Sequence, residues 1–278
     1  MKKDISKFHK GCQAIYDKNG KVAFDAEWDS KVQFETASKG ISNGDWSGKK
    51  VLVMASNTSG LCLELARAGA HVISCEPDPY KNTRAVAKKL LDKFVKDENL
   101  SIEFLNLDFF NTHKLAGEPG DQKKLSKILN FFKTNKVAEK SPKLDDETII
   151  ICFGIIYHFR DIIYALEYLG SLPHCRLLIS TQTHPTDRQA IFNRIDPKII
   201  PIPNFWDNHK DTISGWHFSR KLFTAYLESV GYVDIKPISP ENFDFPVKPK
   251  GHTNSAYYCA KHIGRNDLKT RMEEYLPR

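Results

Sequence analysis

Residues 49–79, KKVLVMASNTSGLCLELARAGAHVISCEPDP, decide the fold of this chain. The apolar run VLVMA at 51–55 predicts a strand, and GLCLELARA at 60–68 has the apolar spacing of a helix. HVISC at 71–75 predicts a second strand. This order of elements is typical of the start of a nucleotide-binding α/β domain. Its loop, Ala55-Ser56-Asn57-Thr58-Ser59-Gly60, nevertheless carries one glycine where such loops usually carry several.

The same alternation continues along the chain and predicts a doubly wound parallel sheet. Further helices are predicted at 80–98, 161–172 and 219–229, and further strands at 102–107, 148–153, 176–181, 233–238 and 255–261. The run TIIICF at 148–153 is continuously apolar, as expected of a strand buried on both faces. No helical pattern separates the last two strands, so they pair most easily as an antiparallel hairpin. We therefore predict a doubly wound α/β fold with a C-terminal antiparallel hairpin.

Three segments fall outside this core and predict an N-terminal cap and two insertions. Residues 1–44 precede the first strand, 111–146 are rich in lysine, and 182–217 form a long connection dense in Pro, Trp and His. The core domain then spans 45–263, and a tail follows at 264–278. Lysine outnumbers acidic residues in the first insertion, which is typical of a solvated helix and would also suit a phosphate-bearing partner.

The composition indicates an ordinary globular protein. Of the 278 residues, 41% are hydrophobic and 27% charged. No apolar run approaches the roughly 18 residues that cross a bilayer, and the first twenty residues do not resemble a signal peptide, so we expect a cytoplasmic location. The six cysteines form no CxxC pair, and we expect buried, reduced thiols.

Residues 153–169, FGIIYHFRDIIYALEYL, are the most specific motif in the chain. They resemble a segment of class I S-adenosylmethionine-dependent methyltransferases, in a branch that includes enzymes modifying the wobble uridine of tRNA. The segment recurs in methyltransferases that act on small molecules. The order of elements from about Gly48 to Lys261 resembles the same family. This resemblance implies a Rossmann-like doubly wound seven-stranded sheet with a C-terminal antiparallel hairpin, and S-adenosyl-L-methionine as the cofactor.

The resemblance also implies which residues bind the cofactor. The turn under the methionine part would be formed by Ala55, Ser56, Asn57, Thr58 and Gly60, with backbone amides facing the carboxylate. Residues at the ends of later strands would bind the rest: Glu76 the ribose hydroxyls, Asp108 the adenine amino group, Phe109 or Phe110 the adenine ring, and Phe153 and Gly154 the departing methyl group.

The loop departs from the family pattern at four positions. Position 53 is commonly acidic and positions 55, 57 and 59 are commonly glycine, whereas this chain has Val53, Ala55, Asn57 and Ser59. Asparagine tolerates a positive φ better than other non-glycine residues. The other two add a Cβ where backbone approaches the ligand. A dinucleotide fingerprint GxGxxG would keep only Gly60 of its three glycines, so nicotinamide fits less well.

Candidate catalytic residues follow the fourth strand and lie in the second insertion. His158 is the first candidate for a general base, because an unperturbed imidazole titrates near neutrality; orienting substrate or capping a helix are its alternatives. Tyr157 would face the substrate. The connection 182–217 offers His217 and a possible lid rich in aromatic and histidine residues: Trp206, Asp207, His209 and Trp216. A metal site from its acid and histidines lacks strong ligand spacing, and we expect no metal.

The leading hypothesis is a methyltransferase acting on an oxygen or nitrogen of a small molecule. A tRNA-modifying enzyme is the nearest variant, because of the 153–169 motif and the lysine-rich insertion. A non-catalytic module that holds a cofactor or a partner protein is the alternative from another class, because of the altered loop. We expect no membrane partner, and the sequence does not indicate an oligomeric state.

Overall fold

An N-terminal layer of short strands and one helix precedes the sheet. The computed structural model of the chain describes residues 9–76, 81–107, 109–110, 112, 143–159, 162–183, 191–192, 216–238 and 254–263. The layer consists of β1 (His9–Gln13), β2 (Ile15–Tyr16), β3 (Val22–Phe24), β4 (Ala26–Trp28) and α1 (Ser30–Lys39). β1 pairs with β4 in parallel, and β2 pairs with β3 antiparallel. Asp29 caps α1, because its side chain accepts hydrogen bonds from the backbone N–H groups of Lys31 and Val32.

The remaining described elements alternate between strands and helices. They are β5 (Lys50–Met54), α2 (Gly60–Arg67), β6 (His71–Cys75), α3 (Lys81–Asp97), β7 (Ile102–Leu105), β8 (Ile149–Cys152), α4 (Ile162–Ser171), β9 (Arg176–Thr183), β10 (Ile191–Phe192), β11 (Trp216–His217), α5 (Arg220–Ser229), β12 (Tyr232–Pro237) and β13 (Asn254–His262). Seven of the described strands form one sheet in the order β12-β13-β9-β8-β5-β6-β7. The strands from β5 to β9 pair in parallel, and β13 pairs antiparallel with both β9 and β12. The predicted Rossmann-like sheet with its C-terminal antiparallel hairpin is confirmed.

The central strands carry continuous apolar runs because both of their faces are covered. Leu52 and Ile150 pack with α4 and α5 on one side of the sheet. Val51, Val53 and Ile151 pack on the other side with α1 and α2. This two-sided burial explains the continuous apolar runs that predicted these strands.

Helix α1 lies across the sheet face that α2 also covers. Near its first residue, Ser30, it meets the start of α2, since the side chain of Ser30 lies against Gly60. At its other end, Gly40 lies against the side chains of Leu178 in β9 and Cys259 in β13. The N-terminal segment therefore spans from the first strand–helix turn to the C-terminal hairpin.

Much of the two insertions lies outside the described residues. In the lysine-rich insertion only Thr112 and residues 143–146 are described. In the connection 182–217 the described residues are 182–183 and the short strands β10 and β11, which pair antiparallel. The tail at 264–278 lies outside them entirely. Within the described parts of the chain, no helix is both long and apolar enough to cross a membrane.

The cysteines are unbridged, as the sequence predicted. All six are free thiols; four are buried as predicted, whereas Cys12 and Cys175 are only partly buried. Burial raises the pKa of Cys62 to about 12 and raises the pKa of Cys152 as well. These thiols are therefore protonated and unreactive at neutral pH.

A buried histidine pair joins the sheet to the loop after α4. The side chain of His174 is 2% exposed, and its ring stacks on that of His262 at 4.3 Å between centroids. Because a carbonyl only accepts, His174 Nδ1–H donates to the Leu172 carbonyl oxygen (2.7 Å), and the Tyr232 hydroxyl donates to Nε2 (3.0 Å). Burial, with a smaller effect of His262, lowers the pKa of His174 from 6.5 to about 3.

The fold should therefore lose stability below about pH 6.5, where the unfolded chain protonates this imidazole and the folded chain does not. Because the folded-state pKa is lower than the unfolded one, the contribution of His174 to the free energy of unfolding is fully present above pH 6.5. It decreases as the pH drops toward 3, by up to about 1.4 kcal/mol per pH unit for one proton. Urea unfolding of wild type and His174→Gln between pH 7.5 and 4.5 measures this. The variant should be less stable at pH 7.5 but have a flatter slope. His71→Gln, at an exposed position, is the control, and equal slopes for all three proteins would contradict the prediction.

Candidate functional site

The loop between β5 and α2 contains three non-glycine residues in the left-handed region. Their φ angles are 51° at Ala55, 55° at Asn57 and 61° at Ser59. These are the three positions at which the resembled family commonly has glycine. The backbone makes turns that glycine adopts easily, although these positions carry side chains, at a cost of about 1–2 kcal/mol per residue for ordinary side chains.

Hydrogen bonds to the neighbouring strand hold this path. The backbone N–H of Asn57 donates to Glu76 Oε2 (2.6 Å), and that of Ser56 donates to the Cys75 carbonyl oxygen (3.1 Å). The Asn57 side chain accepts from the backbone N–H of Thr58 (2.6 Å). Glu76, directly after β6, is only 6% exposed. Its carboxylate therefore supports the loop from within the edge where the sequence predicted a ribose site.

Two hydroxyl groups of the loop and one of β6 form a buried cluster. Ser74 Oγ is 2.8 Å from Ser56 Oγ and 2.9 Å from Ser59 Oγ, and the Ser59 hydroxyl also donates to Ser56 (3.3 Å). All three side chains are at most 3% exposed. This cluster gives Ser59 an anchor that glycine would lack.

The N-terminal segment holds the other side of the loop. The Thr58 hydroxyl donates to the Gln13 carbonyl oxygen (2.7 Å) and accepts from the Gln13 backbone N–H (2.9 Å). Gln13 Oε1 accepts from the backbone N–H of Leu61 in the first turn of α2 (3.1 Å). A Cβ at Gly60 would lie far inside van der Waals contact with the Ala14 carbonyl oxygen and 2.9 Å from Ser30 Cβ. The loop's single glycine is thus required by the backbone of the N-terminal segment, a reason that no local pattern indicated.

The strain in the loop predicts different effects on stability for two glycine substitutions. Ala55→Gly should stabilise the fold by about 0.5–1 kcal/mol, because relief of the left-handed strain exceeds the entropy that glycine adds to the unfolded chain. Ser59→Gly relieves similar strain but removes the hydrogen bonds to Ser56 and Ser74, so it should be neutral or destabilising. Urea unfolding of both variants checks this. Two gains of equal size would mean that the hydroxyl cluster contributes nothing.

The carboxyl end of β8 supplies the next part of the site. Gly154 has a φ of 74°, and its backbone N–H donates to Ser180 Oγ in β9 (2.8 Å). The ring of Phe153 packs edge-on against Tyr257 of β13, with centroids 5.0 Å apart. Tyr157 is also buried. Burial, with a smaller electrostatic effect of Tyr157, raises the pKa of Tyr257. Tyr257 was missed from sequence because it arrives from the far end of the chain.

The residues predicted near adenine lie on an aromatic cluster. Phe109 is 7% exposed, and its ring centroid lies 4.5 Å from Phe159 and 5.6 Å from Tyr168. Phe110 is more exposed and lies 5.3 Å from Tyr164. Phe109 thus packs into the core, and Phe110 is the more accessible ring of the two. Asp108 lies outside the described residues.

The proposed histidines are located only by their backbones. His158 ends the short 3₁₀ turn Ile156–His158, and His217 lies in β11. The lid candidates Trp206, Asp207 and His209 lie outside the described residues. Across the described part of the chain, no three or more His, Cys, Asp or Glu side chains are grouped to hold a metal ion.

One edge of the sheet brings most of these groups together. β5 pairs in parallel with both β6 and β8, so the loop 55–60, Glu76 and residues 153–154 follow the carboxyl ends of adjacent strands. The crevice outside such strand ends is where ligands bind in open α/β sheets. The edge combines tethered backbone turns, a buried carboxylate and aromatic rings, which suits a ligand with hydroxyl groups and a planar part.

Comparison with known proteins identifies the fold. No protein-family model matches the chain, and no curated protein sequence matches it. Among solved structures, it is similar to the N-terminal domain of EvdMO1 with SAH bound, with a TM-score of 0.53, 12% identity, and coverage of 91% of this chain and 92% of that one. The same domain in the presence of SAH and D-fucose gives a TM-score of 0.52 at 12% identity, covering 91% of both chains. At this identity the similarity establishes a shared fold.

Proposed function

We propose that this chain is a methyltransferase that uses S-adenosyl-L-methionine and acts on an oxygen or nitrogen of a small molecule. The observation that carries the proposal is the loop 55–60. It keeps left-handed turns at Ala55, Asn57 and Ser59 despite their side chains. A chain that needed only a strand–helix connection would have no reason to retain three strained residues there.

The residues present fit this cofactor. Glu76 is a buried carboxylate at the end of β6, where it can accept hydrogen bonds from ribose hydroxyls. The positive end of the α2 dipole favours an anionic group nearby, beyond the Leu61 N–H that Gln13 occupies. The fold shared with a domain that binds SAH supports the same assignment.

The chain's own groups would orient the acceptor and manage its proton. When bound, S-adenosylmethionine supplies an electrophilic methyl group on a sulfonium. Phe153 and Tyr257 form an apolar wall beside Gly154, where an acceptor can be aligned away from water. Because its pKa is raised, Tyr257 is a neutral phenol at neutral pH and can orient an acceptor but not deprotonate it. His158 is the proposed base that removes the proton of the acceptor group. Tyr157 and His217 are the proposed substrate contacts.

Calorimetric titration with S-adenosylmethionine, S-adenosylhomocysteine and NAD in parallel tests the proposal. We expect micromolar binding of the first two ligands and none of NAD. Turnover is then sought with a panel of small oxygen and nitrogen acceptors and with unmodified tRNA. His158→Gln should abolish turnover while leaving cofactor affinity intact.

Each alternative has its own signature in this experiment. Failure of both sulfur ligands to bind would overturn the proposal. Cofactor binding without turnover of any acceptor would favour a non-catalytic module. A His158→Gln variant that functions in cells as wild type does would support the same conclusion. Methylation of tRNA, with retention on RNA that weakens steeply with salt, would favour the tRNA-modifying variant.

A further inference from the structure

Helix α1 presents two buried oxygens that lack partners within the described structure. Ser30 is fully buried, and no described group donates to or accepts from its Oγ. Gln33 Oε1, one turn later, is likewise buried without a partner among the described residues. Buried polar atoms are almost always hydrogen-bonded in native proteins, so two such atoms on one helix point to a ligand.

The first of these oxygens lies beside the end of the loop 55–60. Ser30 Oγ is 3.2 Å from the position of a Cβ on Gly60, the first residue of the eight-residue helix α2. Residues three and four positions apart share a helix face, so Gln33 follows Ser30 on the face toward the sheet. On the same face, Ala37 packs in the apolar cluster that contains Val53 and Phe153. Helix spacing therefore places Gln33 on this face between Ser30 and Ala37.

The chemistry of the two oxygens selects the ligand group. An amide oxygen only accepts hydrogen bonds, and a serine hydroxyl can accept one too. The amino-acid end of the proposed cofactor carries a carboxylate and an ammonium. The positive end of α2 suits the carboxylate, and the ammonium needs acceptor oxygens, which Ser30 and Gln33 can supply. The end of β5 offers the ammonium no acceptor side chain, because Val53 and Met54 are apolar and buried.

We propose that Gln33 and Ser30 bind the α-ammonium group of the cofactor's amino-acid end. This inference rests on the proposed function and extends it to two residues of the N-terminal segment. The ammonium donates to Gln33 Oε1 and Ser30 Oγ, while the carboxylate faces the start of α2. The segment thereby becomes part of the binding site as well as a support for the loop.

Four ligands that differ at the amino-acid end test this assignment by calorimetry. They are S-adenosylhomocysteine, its analogue without the carboxylate, its analogue without the ammonium, and 5′-methylthioadenosine, which lacks both. Gln33→Leu should weaken binding of the two ammonium-bearing ligands by roughly 10- to 100-fold and leave the other two unchanged. Ser30→Ala should give a smaller loss, roughly 3- to 10-fold, for the same pair. Glu35→Leu, at an exposed position of α1, is the matched control and should change none of the affinities.

A second variant keeps the test decisive if Gln33→Leu does not fold. Gln33→Glu places a carboxylate at the same reach, so it should strengthen binding of the ammonium-bearing ligands and weaken the carboxylate-only analogue. Equal losses for all four ligands, or unchanged affinities in both Gln33 variants, would overturn the inference while leaving the proposed function intact. If wild type bound none of the four ligands, the proposed function itself would fail, and the inference with it.

Discussion

Replacing Gly60 with alanine should lower the free energy of unfolding by about 3 kcal/mol. At the first turn of a helix this substitution usually helps, because alanine has a higher helix propensity than glycine by about 1 kcal/mol. Gly60 does not have the positive φ that would demand glycine. The loss arises because the new Cβ overlaps the Ala14 carbonyl oxygen and approaches Ser30. Backbone atoms of the N-terminal segment must then move, and the hydrogen bonds of Gln13 to Thr58 and Leu61 are strained with them.

Gly48→Ala separates this packing effect from backbone strain. Gly48 has a φ of 67°, but a Cβ there would meet no atom within 4 Å. Alanine at that position should therefore cost only the left-handed strain, about 1–2 kcal/mol. Urea unfolding of wild type and both variants gives the two losses. If Gly60→Ala were as stable as wild type, the N-terminal segment would not be docked on the loop in solution.

The sheet was predictable because its strands carry strong local patterns. Residues 149–152 are apolar at every position, since helices cover both faces of β8, and such runs are readable without knowing the partners. The hairpin of β12 and β13 followed from the absence of a helical pattern between them. The strands of the N-terminal layer were not predicted, because segments of two to five residues carry too little periodicity.

The positions of the candidate site residues were predictable only where a residue directly follows a predicted strand. Glu76 could be assigned to the sheet edge because it follows β6 directly. The packing of Gly60 against the N-terminal segment could not be predicted, because its partner Ala14 comes from a distant part of the sequence. Gln13, Ser30 and Tyr257 were missed for the same reason, since contacts between distant segments leave no mark in local spacing. Left-handed backbone was expected of Asn57 but not of Ala55, because the conformation of Ala55 is imposed by the loop as a whole.

Replacing Glu76 with alanine should weaken binding of S-adenosylhomocysteine by roughly 100-fold. Two effects combine in this loss. The variant lacks the carboxylate proposed to accept the ribose hydroxyls, and the backbone N–H of Asn57 loses its acceptor, so the strained loop is held less firmly. Glu76→Gln retains an oxygen that can accept from Asn57 and removes only the charge, so its loss should be about 10-fold. Calorimetry gives both affinities, and thermal unfolding shows how much each variant loosens the fold.

The two Glu76 variants together separate ligand recognition from loop support. Glu103→Ala, at an exposed carboxylate on the neighbouring strand β7, is the control for a general loss of negative charge at this side of the sheet. A ten-fold loss in Glu76→Gln with unchanged thermal stability would assign the charge to the ligand. If Glu76→Gln bound S-adenosylhomocysteine as wild type does and only Glu76→Ala were impaired, the carboxylate would serve the loop alone. The hydrogen bond from Asn57 would by itself explain why an acid is buried there.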